Sequence, residues 1–547
     1  MMKIPACVKL ALTGQRCVGR RLLTATAGGK TRRYKTTMSP LAVVLLALAV
    51  GVPSEAANIL APVWFSGASH FAMFGRLFRE LAARGHNVTV ISQFPLKTPL
   101  KNYRDVSIAS NEKKPELTWD LIERARSPPV SAIIMKYITR QQCTDALALP
   151  QVGHVLSSGD QYDLVITEFF HADCMAVFAA KFGVPLVGIT SSMALPRVYD
   201  RIGNPYNPAY MEQYDLHLKA PFSFWGRVQS TLVHLLIRAA DWWITEAFLE
   251  DKVRAVLGGD TPRLQDVLHN TSLVLVNSHW SWDQPLPAVP ALVQVGGLHV
   301  EQPRALPQDL RSYIDKSRHG VIYFSLGSMV KTSSLPAEKL RSIIDAFAAV
   351  PQNVLWRVDP SSLPPLPPNV RAETWMPQND ILNRPNVHVL ITHGGLMGIQ
   401  EAVMAGVPVL AVPLFADQYL NAERVAASGS GICLHFEDLT TQTLRAALDA
   451  LVNDTRYREQ AKHLSLLFRD RPRSPLEEAV YWVEYVLRHQ GAPHLRSAAL
   501  DLTWYQLLLL DVATFLVAVA LTLCLIFCQL TSCLKRNFSQ KQKVKTN

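Results

Sequence analysis

The chain is expected to be an α/β protein: two Rossmann-like, doubly wound domains facing each other across a cleft, plus a C-terminal transmembrane helix. Three observations predict it. Short apolar strands alternate with helix-period segments in both halves, the pattern of parallel sheets. A proline-rich stretch, Pro285 to Pro307, separates the two series. A run from Val512 to Leu530, apolar apart from Thr514, Thr522 and Gln529, is long enough to cross a bilayer.

The first half opens with a strand over Ile59 to Trp64 and a loop over Phe65 to Ser69. A helix is expected from about His70 to Arg84, because Phe74, Leu77, Phe78 and Leu81 recur at steps of three and four. Gly85-His86 ends it and Val88 to Ser92 is the next strand. Strands Asp163 to Thr167 and Leu186 to Ile189 come later, with a helix near Ala172 to Phe182 between them. The second half restarts with strand Val321 to Leu326, helix Ala337 to Val350 and strand Val354 to Val358. Helices are expected over Thr440 to Val452, Tyr457 to Phe468 and Leu476 to His489. The segment Phe222 to Glu250 is rich in Trp, Phe, Leu and Ile. It reads three ways: a helical pair lining an apolar pocket, a helix on a membrane surface, or a core helix.

The domain boundaries expected are 1–57 for an N-terminal extension and signal peptide, 58–290 and 291–495 for the two lobes, 505–533 for a transmembrane segment and 534–547 for a basic tail. The formal net charge of +11 belongs to the ends. Residues 1–37 carry nine Lys/Arg and residues 535–547 carry five, with no acid in either; removing both leaves −3 for everything between. That balance excludes a basic nucleic-acid-binding body.

Leu41 to Val50 has the length of a signal-peptide core, and small residues suit cleavage near Ala56. Met38 would give a compact signal. The rival for this stretch is an Arg-rich, acid-free transit peptide; the apolar core directly upstream of small residues favours secretion. At the other end, Asp511 marks one edge of the apolar run, with Trp504 and Tyr505 at the interface. The basic tail from Lys535 then belongs in the cytosol and the body in the lumen. Lys543 and Lys545 resemble a lysine-based endoplasmic-reticulum retrieval signal; a generic basic tail attracted to anionic lipid is the alternative. Sequons occur at Asn87, Asn270 and Asn453, of which Asn453, after a helix, is the best placed. Outside the two ends, Cys143, Cys174 and Cys433 remain. Their spacing fits neither a disulfide framework nor a zinc site, so three buried or idle thiols are expected.

The chemistry concentrates between Trp375 and Gln418. An apolar strand, Val387 to Ile391, runs into Thr392-His393-Gly394-Gly395 and then a helical pattern through Met397, Ile399 and Glu401. Strand, glycine turn and helix N-terminus form a pocket for phosphate, because free N–H groups and the helix dipole face the anion. A second strand, Val407 to Val412, ends at Asp417-Gln418, groups suited to sugar hydroxyls. Earlier, His70 comes after a strand and a Gly67-Ala68-Ser69 turn at a helix N-terminus, where the dipole keeps an imidazole neutral and able to accept a proton.

The Trp375–Gln418 segment resembles the signature of the UDP-glycosyltransferases, in the animal membrane-anchored branch that includes the glucuronosyltransferases. Phe324-Ser325-Leu326-Gly327-Ser328-Met329, Asn277-Ser278-His279 and the region of His70 are similar too, so the likeness runs from about Asn58 to the C-terminus. The resemblance implies a GT-B architecture with the last helix crossing back to the first domain. It implies that Trp375 stacks on uracil and Gln378 binds its edge. Ser325, Gly327 and Ser328, with His393 and Gly395, would hold the diphosphate, Glu401 the ribose, and Asp417 and Gln418 the hexose. It makes His70 the catalytic base, and a base of this kind works better with an orienting carboxylate. The family places an Asp after a first-domain strand; here Glu168 holds the strand end and Asp173 has the right type five residues later. Asp173 is slightly preferred, though it could equally cap a helix.

No Asp-x-Asp motif is evident near the donor site, so metal-independent, inverting transfer without a cofactor is expected. The partners expected are a UDP-sugar and a small lipophilic acceptor, with no nucleic acid; a homo-oligomer is left open. UDP-glucose is preferred to UDP-glucuronate because Leu396-Met397 and Tyr419-Leu420 look more like the invertebrate relatives. A non-catalytic, membrane-anchored binder of hydrophobic ligands on the same fold, and a transferase acting on lipids or proteins, are the competing readings.

Overall fold

Strands buried on both faces read as near-continuous apolar runs, and Leu164–Glu168 and Val321–Ser325 are buried at every position. In the computed structural model each seeds one parallel sheet. The structure describes residues 56–109, 118–124, 128–213, 216, 218, 221–258, 261–327 and 329–545. The expected signal segment, Met38 and Ser328 lie outside the described residues.

The first sheet contains β1 (Asn58–Pro62), β2 (Asn87–Ser92), β3 (Tyr103–Ser107), β4 (Leu164–Glu168), β5 (Leu186–Thr190), β6 (Thr271–Val276) and β7 (Leu292–Gln294). Its order is β3-β2-β1-β4-β5-β6-β7, parallel throughout. The second sheet contains β8 (Val321–Ser325), β9 (Asn353–Arg357), β10 (Val370–Glu373), β11 (Val387–Thr392), β12 (Val409–Ala411) and β13 (Gly431–Cys433), in the order β10-β9-β8-β11-β12-β13. Both orders reverse beside the first strand of the sheet, at β1/β4 and at β8/β11. Such a break opens a crevice outside the strand ends, where ligands bind. Because β7 pairs with β6, the first sheet extends past the boundary expected at residue 290.

Helix α1 (Ala68–Ala83) covers the first sheet with Phe71, Phe74, Leu77, Phe78 and Leu81. Four further helices shape the crevice or the outer surface of the body: α2 (Pro128–Leu147), α3 (Phe224–Ile244), α4 (Leu396–Ala405) and α5 (Gln418–Ala427). Helix α6 (Pro475–Arg488) starts with a proline and a capping box made by Ser474 and Glu477. Although it comes after the second sheet in sequence, its Ala479, Val480, Val483 and Val486 are fully buried in the core of the first. Each valine so buried contributes about 1.5–3 kcal/mol. The chain ends in α7 (Leu510–Lys545), whose stretch Leu510–Phe538 is long and apolar enough to cross a membrane and is not buried against the body.

Two expectations are corrected. Cys143 and Cys174 are not idle thiols but a disulfide, with Cα atoms 6.1 Å apart across a sequence separation of 31. The packing of α2 against the turn at Cys174–Ala176 joins them, which spacing alone does not encode. Of the three readings of Phe222 to Glu250, the core helix is excluded, and none of the segment's described side chains lines the crevice between the two sheets. The buried residues of α3 are Gly226, Ser230 and His234, while Trp225, Leu232, Leu236, Trp242 and Trp243 are exposed.

Cys143→Ser or Cys174→Ser is expected to cost about 2–4 kcal/mol. Thermal unfolding of the detergent-solubilised chain checks this, and reductant should bring the wild type down to the variant.

Candidate active site

His70 is the third residue of α1, close to the β1/β4 break: β1 delivers the loop, and Gly67 lets it close. A Cβ at Gly67 would lie 2.7 Å from the Phe65 ring and 3.2 Å from His70 Cδ2. Phe65 and Phe170 flank the imidazole, with ring centroids 4.8 and 4.9 Å away. Its Nδ1 is 2.6 Å from Glu168 Oε1 at the end of β4. Glu168 is fully buried. Ser191, just past β5, places its hydroxyl 2.8 Å from the same Nδ1 and donates to Glu168 Oε1 at 3.3 Å. A carboxylate on Nδ1 sets that nitrogen as the protonated one and leaves Nε2 as an acceptor.

Asp173 is not the partner. After β4 the chain reverses through Phe169–Ala172, with His171 in the left-handed region at φ 46°. The reversal directs Asp173 to Arg201, with Arg197 3.6 Å away. Burial raises its carboxyl, but the Arg197 and Arg201 guanidiniums outweigh burial and hold it below the usual range. Asp173 is therefore part of a buried ion cluster, and the longer Glu168 reaches the imidazole from the strand end.

On the facing lobe, β8 ends in Ser325 and β11 runs into His393. The His393 ring sits between two glycines: a Cβ would approach its Cε1 to 2.6 Å from Gly327 and to 2.7 Å from Gly395. Gly327 also has φ +77°, where side chains are strained. Burial, with Arg357 nearby, lowers His393 to about 4, so the ring is neutral. No side chain caps α4, so its first amides remain for an anion. Ser325 Oγ accepts from the Gly327 amide at 3.2 Å.

Glu401 Oε2 accepts from Gln378 Nε2 at 2.6 Å. Burial pushes its carboxyl up to about 7, although the Gln378 hydrogen bond pulls the other way. Trp375 is 67% exposed, its faces open to a flat ligand. Asp417 accepts from Asn421 Nδ2 at 2.9 Å, and burial raises its carboxyl. Gln418 Oε1 accepts the amides of Leu414 and Phe415 at 3.0 and 3.2 Å, which leaves its NH₂ group for a ligand.

These groups share one crevice of about 590 Å³. His70 lines it from the first lobe; Ser325, Gly327, Trp375, Gln378, His393, Gly395, Glu401, Asp417 and Gln418 line it from the second. Glu168 stands behind His70. Two residues of the site are not singled out by the sequence. Ser191 comes just after a buried strand, and strand ends beside a break in order are where such groups collect. Arg357, at the end of β9, also lines the crevice and carries the same signal.

Two doubly wound domains closing on one crevice make this a GT-B protein. A solved structure described as a glycotransferase of kitacinnamycin superposes with a TM-score of 0.50 at 21% identity, covering 78% of this chain and 99% of its own, which supports the fold. The family model for UDP-glucoronosyl and UDP-glucosyl transferase matches residues 59–545. UDP-glucosyltransferase 2 of Dactylopius coccus is 38% identical over 504 residues, 90% of this chain and 97% of the relative. UDP-glycosyltransferase UGT5 of the same insect is 37% identical over 481 residues, 86% and 90% of the two chains. Human UDP-glucuronosyltransferase 1A10 is 32% identical over 507 residues, 90% and 94%. The chain belongs to the UDP-glycosyltransferase family and is a glycosyltransferase enzyme.

Two outcomes are expected from this geometry. Asp173→Asn removes the partner of a buried guanidinium and should lower stability by roughly 3–5 kcal/mol in denaturant titration. An ionised Glu401 is a stronger acceptor than the protonated acid, which gives up an acceptor site to its own proton. If ligand hydroxyls meet it, UDP affinity should fall as pH is lowered through about 7. Glu401→Gln should flatten that dependence in titration calorimetry.

Proposed function

We propose that this enzyme transfers glucose from UDP-glucose, with inversion, to a hydroxyl of small lipophilic acceptors. The observation that carries this reading is the His70–Glu168 pair facing the His393–Glu401 turn across a single crevice. His70 Nε2 takes the acceptor's hydroxyl proton, and Glu168 with Ser191 orients the ring and stabilises the imidazolium. The acceptor oxygen forms its bond to the anomeric carbon as the bond to the β-phosphate oxygen breaks. UDP departs with that electron pair, and attack opposite to it inverts the centre. Amides of α4, His393 and Arg357 meet the charge on the departing diphosphate, so the step needs no metal. Trp375 stacks on uracil beside Gln378, Glu401 holds the ribose, and Asp417 with the Gln418 amide holds the hexose.

Glucose is preferred for an electrostatic reason. A glucuronate carboxylate wants a free cation. Arg424, whose charge acts on Asp417, is already paired with Asp283 and with Glu212 at 3.1 Å. Lipophilic acceptors suit the wall made by Phe65, Phe170 and Met135. The span Leu510–Phe538 and its basic tail fit a type I anchor in the endoplasmic reticulum, where the Cys143–Cys174 disulfide would persist.

The test is UDP release by the full chain in detergent, with several UDP-sugars and simple phenols, and NMR assignment of the product anomer. His70→Ala and Glu168→Gln are each expected to lower kcat by about 10²–10⁴-fold with donor affinity little changed. Equal turnover by wild type and His70→Ala, or a retained anomer, would overturn the mechanism; preference for UDP-glucuronate would overturn the donor.

A further inference from the structure

Cysteine spacing offers no zinc site in this chain. A ligand set of mixed type does not depend on that spacing, and the second lobe assembles one at its outer edge. The edge strand β13 ends in Cys433, and His435, two residues on, keeps an extended backbone. Side chains two apart on an extended chain share a face. Leu434, between them, packs into the core on the other side, with Phe436 and Leu439. Cys433 packs against the core that holds Ala422 and Val425 of α5. That helix lies directly on the strand: a Cβ at Gly431 would meet Val425 Cγ1 at 2.5 Å. Glu423 of the same helix brings its Oε1 to 3.7 Å from His435 Nε2. The Cys433 sulfur, the His435 imidazole and the Glu423 carboxylate each offer a ligand atom, and these atoms all lie within 4.8 Å of one another.

We propose that Glu423, Cys433 and His435 bind a zinc ion, with water in the fourth position. Thiolate, imidazole and carboxylate are all zinc ligands, and zinc bonds of about 2.0–2.3 Å hold tetrahedral ligand atoms roughly 3.3–3.8 Å apart. The Glu423–His435 pair already has that separation, and a small rotation of the Cys433 side chain closes the rest. A sulfur and a nitrogen ligand select against magnesium and calcium, which take oxygen, and the carboxylate selects against copper(I). The Glu423 and His435 side chains are 46% and 44% exposed, so an ion can enter and water can complete its shell. A redox role for Cys433 is disfavoured, because burial and the nearby Glu423 push its thiol up to about 12 and a protonated thiol is a poor nucleophile. Its proton leaves to solvent as the zinc–sulfur bond forms. None of the three residues lines the crevice, so this ion takes no part in sugar transfer. It ties the end of β13 to α5, whose Asp417 and Gln418 do line the crevice.

Full-length protein in detergent, stripped with a chelator and titrated with Co²⁺ and then Zn²⁺, tests this. Cobalt takes the same ligands and reports a sulfur ligand as a charge-transfer band in the near ultraviolet. Stoichiometric Co²⁺ binding with that band is expected, and Zn²⁺ should displace the cobalt and raise the unfolding temperature. Cys433→Ser should remove the band. His435→Ala and Glu423→Gln should each weaken zinc binding by more than the roughly 10–100-fold that loss of an outer-shell partner costs. No band in the wild type, a band that survives in Cys433→Ser, or equal zinc affinity in the wild type and all three variants (an adventitious ion only) overturns the proposal. If Cys433→Ser does not unfold cooperatively, Glu423→Gln decides, its half-exposed side chain being replaced by one of the same shape: lost affinity supports the site and unchanged affinity overturns it. Glycosyl transfer is not the readout, so failure of the donor or acceptor assignment leaves this test intact.

Discussion

A parallel sheet brings the C-terminal ends of its strands to one edge, and in a doubly wound sheet the order reverses at a point along that edge. In both lobes the reversal falls beside the first strand, and the groups proposed to react stand at those two points. His70 comes after β1 and Glu168 ends β4, so their contact is made by neighbouring strands of one sheet. Ser325 ends β8 and His393 comes after β11, the matching pair in the other. The proposed base and the proposed phosphate turn are thus placed by backbone topology before any side chain chooses a rotamer.

Around the phosphate turn, space is the governing quantity. Gly327 and Gly395 approach the His393 ring from two sides, and neither leaves room for a methyl group. The ring is held in position by what its neighbours lack. Glu401 shows the converse: it is buried enough for its carboxyl to rise to about 7, yet it keeps a hydrogen bond from Gln378. A ligand that brings hydroxyl donors to Glu401 would favour the ionised form and draw that value down again.

Much of the architecture is legible in the sequence because buried parallel strands are apolar at successive positions, and because the signature from Trp375 to Gln418 is long. The short strands β3, β7, β10 and β13 are not. All four are the outermost strands of their sheets, where polar side chains are tolerated and the apolar run is lost. The preference for Asp173 as the partner of His70 fails for a different reason. It weighs residue type above strand position, and a left-handed turn at His171 is invisible in periodicity. Ser191 and Arg357 act through tertiary proximity alone, as does the Cys143–Cys174 bond. For α3 the pattern is plain but its direction is not, since an amphipathic helix does not announce which face meets the body.

The return of α6 to the first lobe bears on how such proteins can be recombined. A hybrid spliced once in the proline-rich linker would seat one parent's Val480 and Val483 in a core evolved around the other's. Exchanging an acceptor lobe cleanly takes two crossovers, the second ahead of Ser474, so that the lobe travels with the helix that completes it.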